Sequence, residues 1–250
     1  MKVIAVVQAR MGSARLPGKV LMPIGGLPAI DLLLKRLGNA KTLDGVIVAT
    51  SSSKQDDVLA EHLNDQGISL FRGDENDVLS RFVEINLLAQ PDVIVRLTGD
   101  CPFVDPTIVD SVVKNLTAQA ADYSSNVEPP TFPHGFDVEA FTHEMLEWTQ
   151  NHSEPERAME HVTTLMRHTS TIKRVNLTSG GGYSHIRVTL DNPEDLTVIQ
   201  NIASRVSNVF DFGWNEVVAL YESNPELFIA NSALIVRGQP TKRPDTPRQQ

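Results

Sequence analysis

The chain has 250 residues, with 22 lysines and arginines against 31 aspartates and glutamates, a formal charge of −9. Hydrophobic residues make up 41% and charged residues 21%, which describes an ordinary globular chain long enough for a sizeable core. So acidic a balance excludes broad sequence-independent binding to nucleic acid, which needs a basic face. The single cysteine, Cys101, excludes an intrachain disulfide and a multi-cysteine metal site, and fits a reducing cytoplasm. The N-terminal apolar run is too short for a signal peptide, and no stretch approaches ~20 apolar residues, so neither secretion nor membrane insertion is expected.

Read in chain order, the first half alternates strands with helices. Val3–Val7 is a short apolar, β-branched run of the kind that makes a buried parallel strand. Gly45–Ala49 and Asp92–Leu97 repeat it. Helical stretches fall at Pro28–Leu37, Asp56–Asn64, Asn76–Leu88 and Pro106–Leu116, the last opened by an Asp105 cap and an N1 proline. This order predicts an α/β fold with a parallel sheet and right-handed crossovers.

The rhythm breaks near Asp122, where Glu128–Pro133 holds three prolines and no regular element. Beyond it the pattern predicts a strand over Gly135–Phe141, helices over Thr142–Asn151 and Glu154–Arg167, and a strand over Ser170–Asn176. A glycine turn then leads to a strand over Ile186–Leu190, a helix from Asn192 to about Val206, and helices from Trp214 to about Asn231. Residues from about 122 to 185 read as an insertion or lid carried on the core sheet, within a single domain of residues 1–236. The segment 237–250, with four basic residues, one acid and three prolines, reads as a flexible tail.

The most informative segment is Gln8-Ala-Arg-Met-Gly-Ser-Ala-Arg-Leu-Pro-Gly-Lys19, directly after the first strand. Through Lys19 the chain carries Lys2, Arg10, Arg15 and Lys19, and no acid precedes Asp31. In so acidic a chain, such an island suits a polyphosphate, with backbone N–H groups near Gly12 and Gly18 free to approach it. Five residues separate Gly12 from Gly18 and Val20 follows Lys19, so this is not a P-loop. A G-x-G-x-x-G dinucleotide fingerprint is also missing from this turn.

Two aspartates fall at predicted strand ends, Asp100 in Arg96-Leu-Thr-Gly-Asp-Cys-Pro102 and Asp191 in Arg-Val-Thr-Leu-Asp-Asn-Pro. Mg²⁺ is commonly held by one or two carboxylates plus substrate phosphates, and this pair fits that pattern. Asp100 fits a turn cap as well, and Asp191 equally fits the N-cap of the helix that follows. Cys101 beside Asp100 is a packed small residue rather than a nucleophile, because a neighbouring carboxylate disfavours the thiolate. No His/Cys cluster suits zinc. Trp148 and Trp214 fall on amphipathic helices and suit core or subunit contacts.

The loop QARMGSARLPGKVL, with GGLPAIDLLLKRL after it, resembles the signature of the sugar cytidylyltransferases. The resemblance is strongest to the branch of spore coat polysaccharide biosynthesis protein F. Further matches follow in the family's order: VIVATSSSKQDD, FRGDENDVLSRF, VRLTGDCPFVDP, DYSSN, EHVT and RVTLDNPEDL. Together they span roughly residues 2–200.

This resemblance implies a Rossmann-like nucleotidyltransferase sheet with helices on both faces, an inserted dimerisation segment, and transfer of CMP from CTP to a sugar acid or similar acceptor. It implies Mg²⁺ as cofactor, a homodimer, a cytoplasmic location and a role in surface polysaccharide or glycan synthesis. By position, Ala9, Arg10, Gly12, Ser13, Arg15 and Lys19 would hold the triphosphate. Arg72 and Gly73, in a loop after the third strand, would lie near base and ribose. Asp100 and Asp191 would hold the metal, and Arg10, Lys19 and Asp100 would carry the chemistry. Arg96, Asn126, His134, Gly135, Asp137, Glu160 and His161 would meet the acceptor. A nucleotide-sugar pyrophosphorylase using another nucleotide, or a non-catalytic nucleotide-binding homologue, are the alternatives.

Overall fold

The computed structural model describes residues 1–153 and 162–234. Glu160, His161, the first part of the helix expected over Glu154–Arg167, and the tail from 237 lie outside the described residues.

The strands are β1 (Val3–Gln8), a small hairpin of β2 (Pro23–Ile24) and β3 (Leu27–Pro28), then β4 (Gly45–Ser51), β5 (Leu70–Gly73), β6 (Val93–Thr98), β7 (Tyr123–Ser125), β8 (Glu139–Thr142) and β9 (Arg174–Asn176). The α-helices are α1 (Ala29–Leu37), α2 (Asp57–Asp65), α3 (Val78–Ala89), α4 (Pro106–Ala118), α5 (His143–His152), α6 (Thr164–His168), α7 (Pro193–Arg205) and α8 (Trp214–Ser223). One seven-stranded sheet runs β5-β4-β1-β6-β8-β7-β9. The pairs among β5, β4, β1 and β6 are parallel, β8 is antiparallel to both β6 and β7, and β9 is parallel to β7.

Successive strand residues face opposite sides. Val3, Ala5 and Val7 of β1, with Val95 and Leu97 of β6, pack on one face with α1, α4 and α7. Ile4, Val6 and Ile94 pack on the other with Phe82 and Ile85 of α3 and Phe141 of β8. Both faces are covered, which is why these strands read as unbroken apolar runs.

Several expectations need correction. The segment from 122 to 185 supplies β7, β8 and β9 of the central sheet itself, so along these strands it continues the core rather than standing on it. The strand expected over Gly135–Phe141 starts only at Glu139. The buried Asn126 side chain takes the backbone before it, donating to the Phe136 carbonyl and accepting from Val138 N, both at 2.8 Å.

Ile186–Leu190 is extended and buried but is not a strand. Its N–H groups go to loops, Val188 to the His134 carbonyl at 2.7 Å and Leu190 to the Asp100 carbonyl at 2.8 Å. Arg72 and Gly73 end strand β5 rather than lying in a loop. The strand expected from Ser170 begins at Arg174. The last helical stretch divides into α8 and a 3₁₀ turn at Pro225–Asn231, since a proline cannot continue the N–H ladder.

Candidate active site

Parallel strands present their carboxyl ends to one edge of a sheet, where ligands gather in open α/β folds. Here β1 ends in the basic loop and β6 ends in Gly99-Asp100. The two ends nearly touch: a Cβ on Gly99 would stand 2.9 Å from Ala9 Cβ, and Gly99 N donates to the Gln8 carbonyl at 2.8 Å. Glycine at 99 therefore lets Asp100 lie beside the loop.

The loop itself is tied down at several points. Met11 N donates to Asp56 Oδ1 at 2.6 Å, Gly18 N to the Met11 carbonyl at 2.9 Å, and Leu16 N to Ser13 Oγ at 3.3 Å. Gly18 takes φ 73°, a left-handed backbone that glycine adopts without strain, and a 3₁₀ turn at Lys19–Leu21 follows.

That turn directs Lys19 inward. Its ammonium donates to Asp100 Oδ2 and to Asp191 Oδ1, each at 2.8 Å. Asp100 also accepts from Thr98 Oγ1 at 2.5 Å. Asp191 receives Arg15 Nη2 and Arg187 Nη2, each at 3.2 Å. Arg187 is in turn held by Asp195, Nε to Oδ1 at 2.8 Å. The N-cap of α7 is Asn192, with Asp195 as its N3 partner, so the Asp191 carboxylate is not consumed in capping.

Burial pulls the Lys19 ammonium down, but Asp100 and Asp191 more than offset it and hold its pKa above the ordinary value. Burial pushes Asp100 up; Lys19 and the Thr98 hydroxyl reverse this and leave it below the ordinary carboxylate value. Cys101 is buried, and burial together with Asp100 and Asp137 pushes its thiol well up, which removes it as a nucleophile.

A cavity of about 1020 Å³ opens over these groups. It is bordered by Ala9, Arg10, Gly12, Ser13, Arg15, Lys19, Arg96, Asp100, His134, Asp137 and Asp191, so the structure brings most of the expected residues to one place. Arg10 is exposed there, and no acid pairs with it among the described residues. His134 lies 4.0 Å from Asp137 and, through Nδ1, 3.4 Å from Arg187 Nη1.

Four expected residues stand elsewhere. Arg72 turns away: its guanidinium donates to the Ser51 and Ser53 carbonyls at 2.9 and 3.0 Å and to Asp57 at 2.7 Å. Gly73 makes room for a neighbour, since a Cβ there would stand 2.7 Å from Arg81 Cγ. Asn126 clasps the 136–138 backbone. Gly135 takes φ +118°, and its missing Cβ lets Val188 approach.

Arg96 does border the cavity, but it is engaged by Glu139 and by Gln8 Oε1, the latter at 3.0 Å. Glu139 is buried and also accepts from Tyr123 and from Arg167, whose Nη2 is 2.7 Å away. Burial alone would raise this carboxyl; Arg96 and Arg167 hold it down to about 2.

Arg81, Glu139, Arg167 and Thr98 also border the cavity and were missed in the sequence. For Arg81 a signal existed: a charged residue falls at a core-facing position of α3, between Val78 and Phe82.

Asp100 and Asp191, from distant parts of the chain, converge on the Lys19 ammonium; two carboxylates so placed also fit a divalent metal such as Mg²⁺, which takes the rest of its ligands from phosphate and water. Among the described residues, no group of three or more His, Cys, Asp or Glu side chains is placed to hold a metal by itself. No helix there is long and apolar enough to cross a membrane.

A family model described as cytidylyltransferase matches residues 4–180. The chain is 33% identical over 231 residues to spore coat polysaccharide biosynthesis protein SpsF of Bacillus subtilis, covering 90% of this chain and 95% of that one. A solved cytidylyltransferase from Leptospira borgpetersenii is 30% identical, with a TM-score of 0.86 over 97% of this chain and all of that one. CMP:2-keto-3-deoxy-manno-octonic acid synthetase complexed with CTP shares the fold at 19% identity, with a TM-score of 0.63 over 82% of this chain and 99% of that one.

Proposed function

The chain belongs to the cytidylyltransferase family, and from that premise we propose that it transfers CMP from CTP to a sugar acid or similar acceptor, releasing pyrophosphate. The observation that carries this reading is the meeting of Lys19, Asp100 and Asp191 at the foot of the basic loop, beneath a cavity large enough for a nucleotide and an acceptor.

In the reaction an acceptor oxygen attacks the α-phosphorus of CTP, and the bond from that phosphorus to the bridging oxygen of pyrophosphate breaks. Negative charge develops on the leaving group. Arg10, Arg15 and Lys19 surround the place where it would lie, and preoriented cations of this kind stabilise a transition state more than a ground state. Asp100 and Asp191 would hold Mg²⁺, which when bound neutralises phosphate oxygens and lowers the pKa of an acceptor hydroxyl. The protein's own contribution is alignment of two anionic partners that otherwise repel. His134 and Asp137 border the same cavity and would meet the acceptor.

A homodimer formed through residues 122–185, a cytoplasmic location and service to a surface glycan belong to the same proposal; light scattering in solution tests the first. The reaction itself is tested by pyrophosphate release from CTP and Mg²⁺ against a panel of 2-keto sugar acids. Release that depends on both CTP and one acceptor supports the reading. Release from another nucleotide with a sugar phosphate would replace it with a pyrophosphorylase.

A further inference from the structure

The two carboxylates under the basic loop are held alike. Asp100 gives Oδ2 to the Lys19 ammonium at 2.8 Å, while its Oδ1 accepts from Thr98 Oγ1 at 2.5 Å. Asp191 gives Oδ1 to the same ammonium at 2.8 Å, while its Oδ2 accepts from Arg187 Nη2 at 3.2 Å. Each turns one oxygen to a common cation position and has the other pinned by a neighbouring donor. Thr98 is the last residue of β6, where pairing with Gln8 of β1 fixes its backbone. Arg187 is buried and clamped in turn. Its Nε and Nη2 donate to Asp195 at 2.8 and 2.9 Å, and Asn231 donates to that same carboxylate at 2.9 Å.

This pinning bears on which cation the pair suits. Mg²⁺ demands a near-ideal octahedron of oxygens and takes few of them from protein carboxylates, the rest coming from phosphate and water. Ca²⁺ is larger, accepts more oxygens in looser geometry, and often gathers both oxygens of one carboxylate. A carboxylate that commits one oxygen to Thr98 or Arg187 has only the other to offer. Lys19 stands at the shared position, so a metal there must displace its ammonium. Nucleotide phosphate offers that ammonium, and the exposed Arg15 beside it, another anion to pair with.

We propose that Thr98 and Arg187 are positioning residues that confine Asp100 and Asp191 to one oxygen each, and thereby favour Mg²⁺ over Ca²⁺ beside the nucleotide. Both act through the carboxylates and neither is itself a ligand. The inference rests on the cytidylyl-transfer reading and names the residues that select its metal.

The test reads the metal rather than turnover. The full chain, saturated with CTP and without acceptor, is loaded with Mn²⁺, whose free form is followed by electron paramagnetic resonance. Mg²⁺ or Ca²⁺ is then titrated in to displace it, and CTP without protein gives the baseline preference. Native protein is expected to favour Mg²⁺ over Ca²⁺ by ~10-fold or more beyond that baseline, the scale on which residues behind a metal ligand act. In Thr98→Val the added preference should shrink to under ~3-fold through tighter Ca²⁺ binding, and Thr98→Ser, which keeps the hydroxyl, should restore it. Arg187→Lys keeps a charge beside Asp195 but lacks the fork that spans both aspartates, and should shrink the preference likewise.

A native preference no greater than that of CTP alone overturns the proposal before any variant is made. An unchanged preference in either variant overturns it for that residue. Mn²⁺ affinity that falls in Thr98→Val while the ratio of Mg²⁺ to Ca²⁺ holds overturns it in favour of general support of Asp100. Should Arg187→Lys fail to fold, Thr98→Val against Thr98→Ser decides alone. Native protein that binds no CTP, with Mg²⁺ or without, sinks the cytidylyl-transfer reading itself, and that is seen first.

Discussion

Gly135 and Val188 approach so closely that a Cβ on the glycine would stand 2.6 Å from the Val188 carbonyl carbon and 2.7 Å from its oxygen. The contact fixes the extended segment Ile186–Leu190, which carries Asp191 to the cavity without help from a sheet ladder. His134 seals it on both sides, its N–H to the Ile186 carbonyl at 2.8 Å and its carbonyl from Val188 N at 2.7 Å.

Gly135→Ala must therefore push two backbones apart and also hold alanine at φ +118°. A cost of about 1–3 kcal/mol is expected, or a melting temperature lower by roughly 2–10 °C. Turnover should fall with it, because Asp191 is displaced. A scanning fluorimetry trace that overlays the wild type would refute this account of the glycine.

Lys19→Ala and Asp100→Ala should each lower turnover by ~10²-fold or more, the scale of losing one preoriented charge at a reacting centre. Single-turnover assays at saturating nucleotide measure it. A loss under ~3-fold in either variant would remove that residue from the proposed machinery.

Glu139 supplies a pH signature separate from the chemistry. Its carboxyl is held down to about 2 in the folded protein, against an ordinary value of 4.5. A depressed folded pKa contributes stability that is fully present above the unfolded value and is lost as pH falls through the folded one. Glu139→Gln leaves Arg96 and Arg167 without their common anion, which should cost about 3 kcal/mol near pH 7. The gap in melting temperature between the two proteins should narrow as pH falls from about 5 toward 2. A gap independent of pH would show that the carboxylate charge contributes nothing.

Arg72 is expected to behave unlike a nucleotide ligand. Its guanidinium fastens the turn between β4 and α2 through Ser51, Ser53 and Asp57. Arg72→Ala should cost about 1 kcal/mol of stability and change CTP affinity by less than ~3-fold. A loss of ten-fold or more in affinity, with stability intact, would return Arg72 to the cavity.

Much of this was legible in the sequence, and unevenly so. The parallel strands β1, β4 and β6 announce themselves because both faces are buried, and α4 because Asp105 and Pro106 mark its start. The basic loop stands out against an acidic chain. Arg72, Gly73, Asn126 and Gly135 lie in matched motifs, and in the structure they clasp backbone or leave space for a neighbour. Such duties depend on partners 8 to 53 positions away and leave no local pattern. Arg81 shows the reverse case: its charge breaks the apolar face of α3, and the structure places it at the border of the cavity.

The central claim is a nucleotide site selective for CTP and completed by a divalent metal. The most direct measurement is calorimetric titration of CTP, UTP, GTP and ATP, each with and without Mg²⁺. The account predicts that CTP binds most tightly and that Mg²⁺ strengthens it. Preference for another nucleotide, or no binding of CTP under either condition, would contradict it.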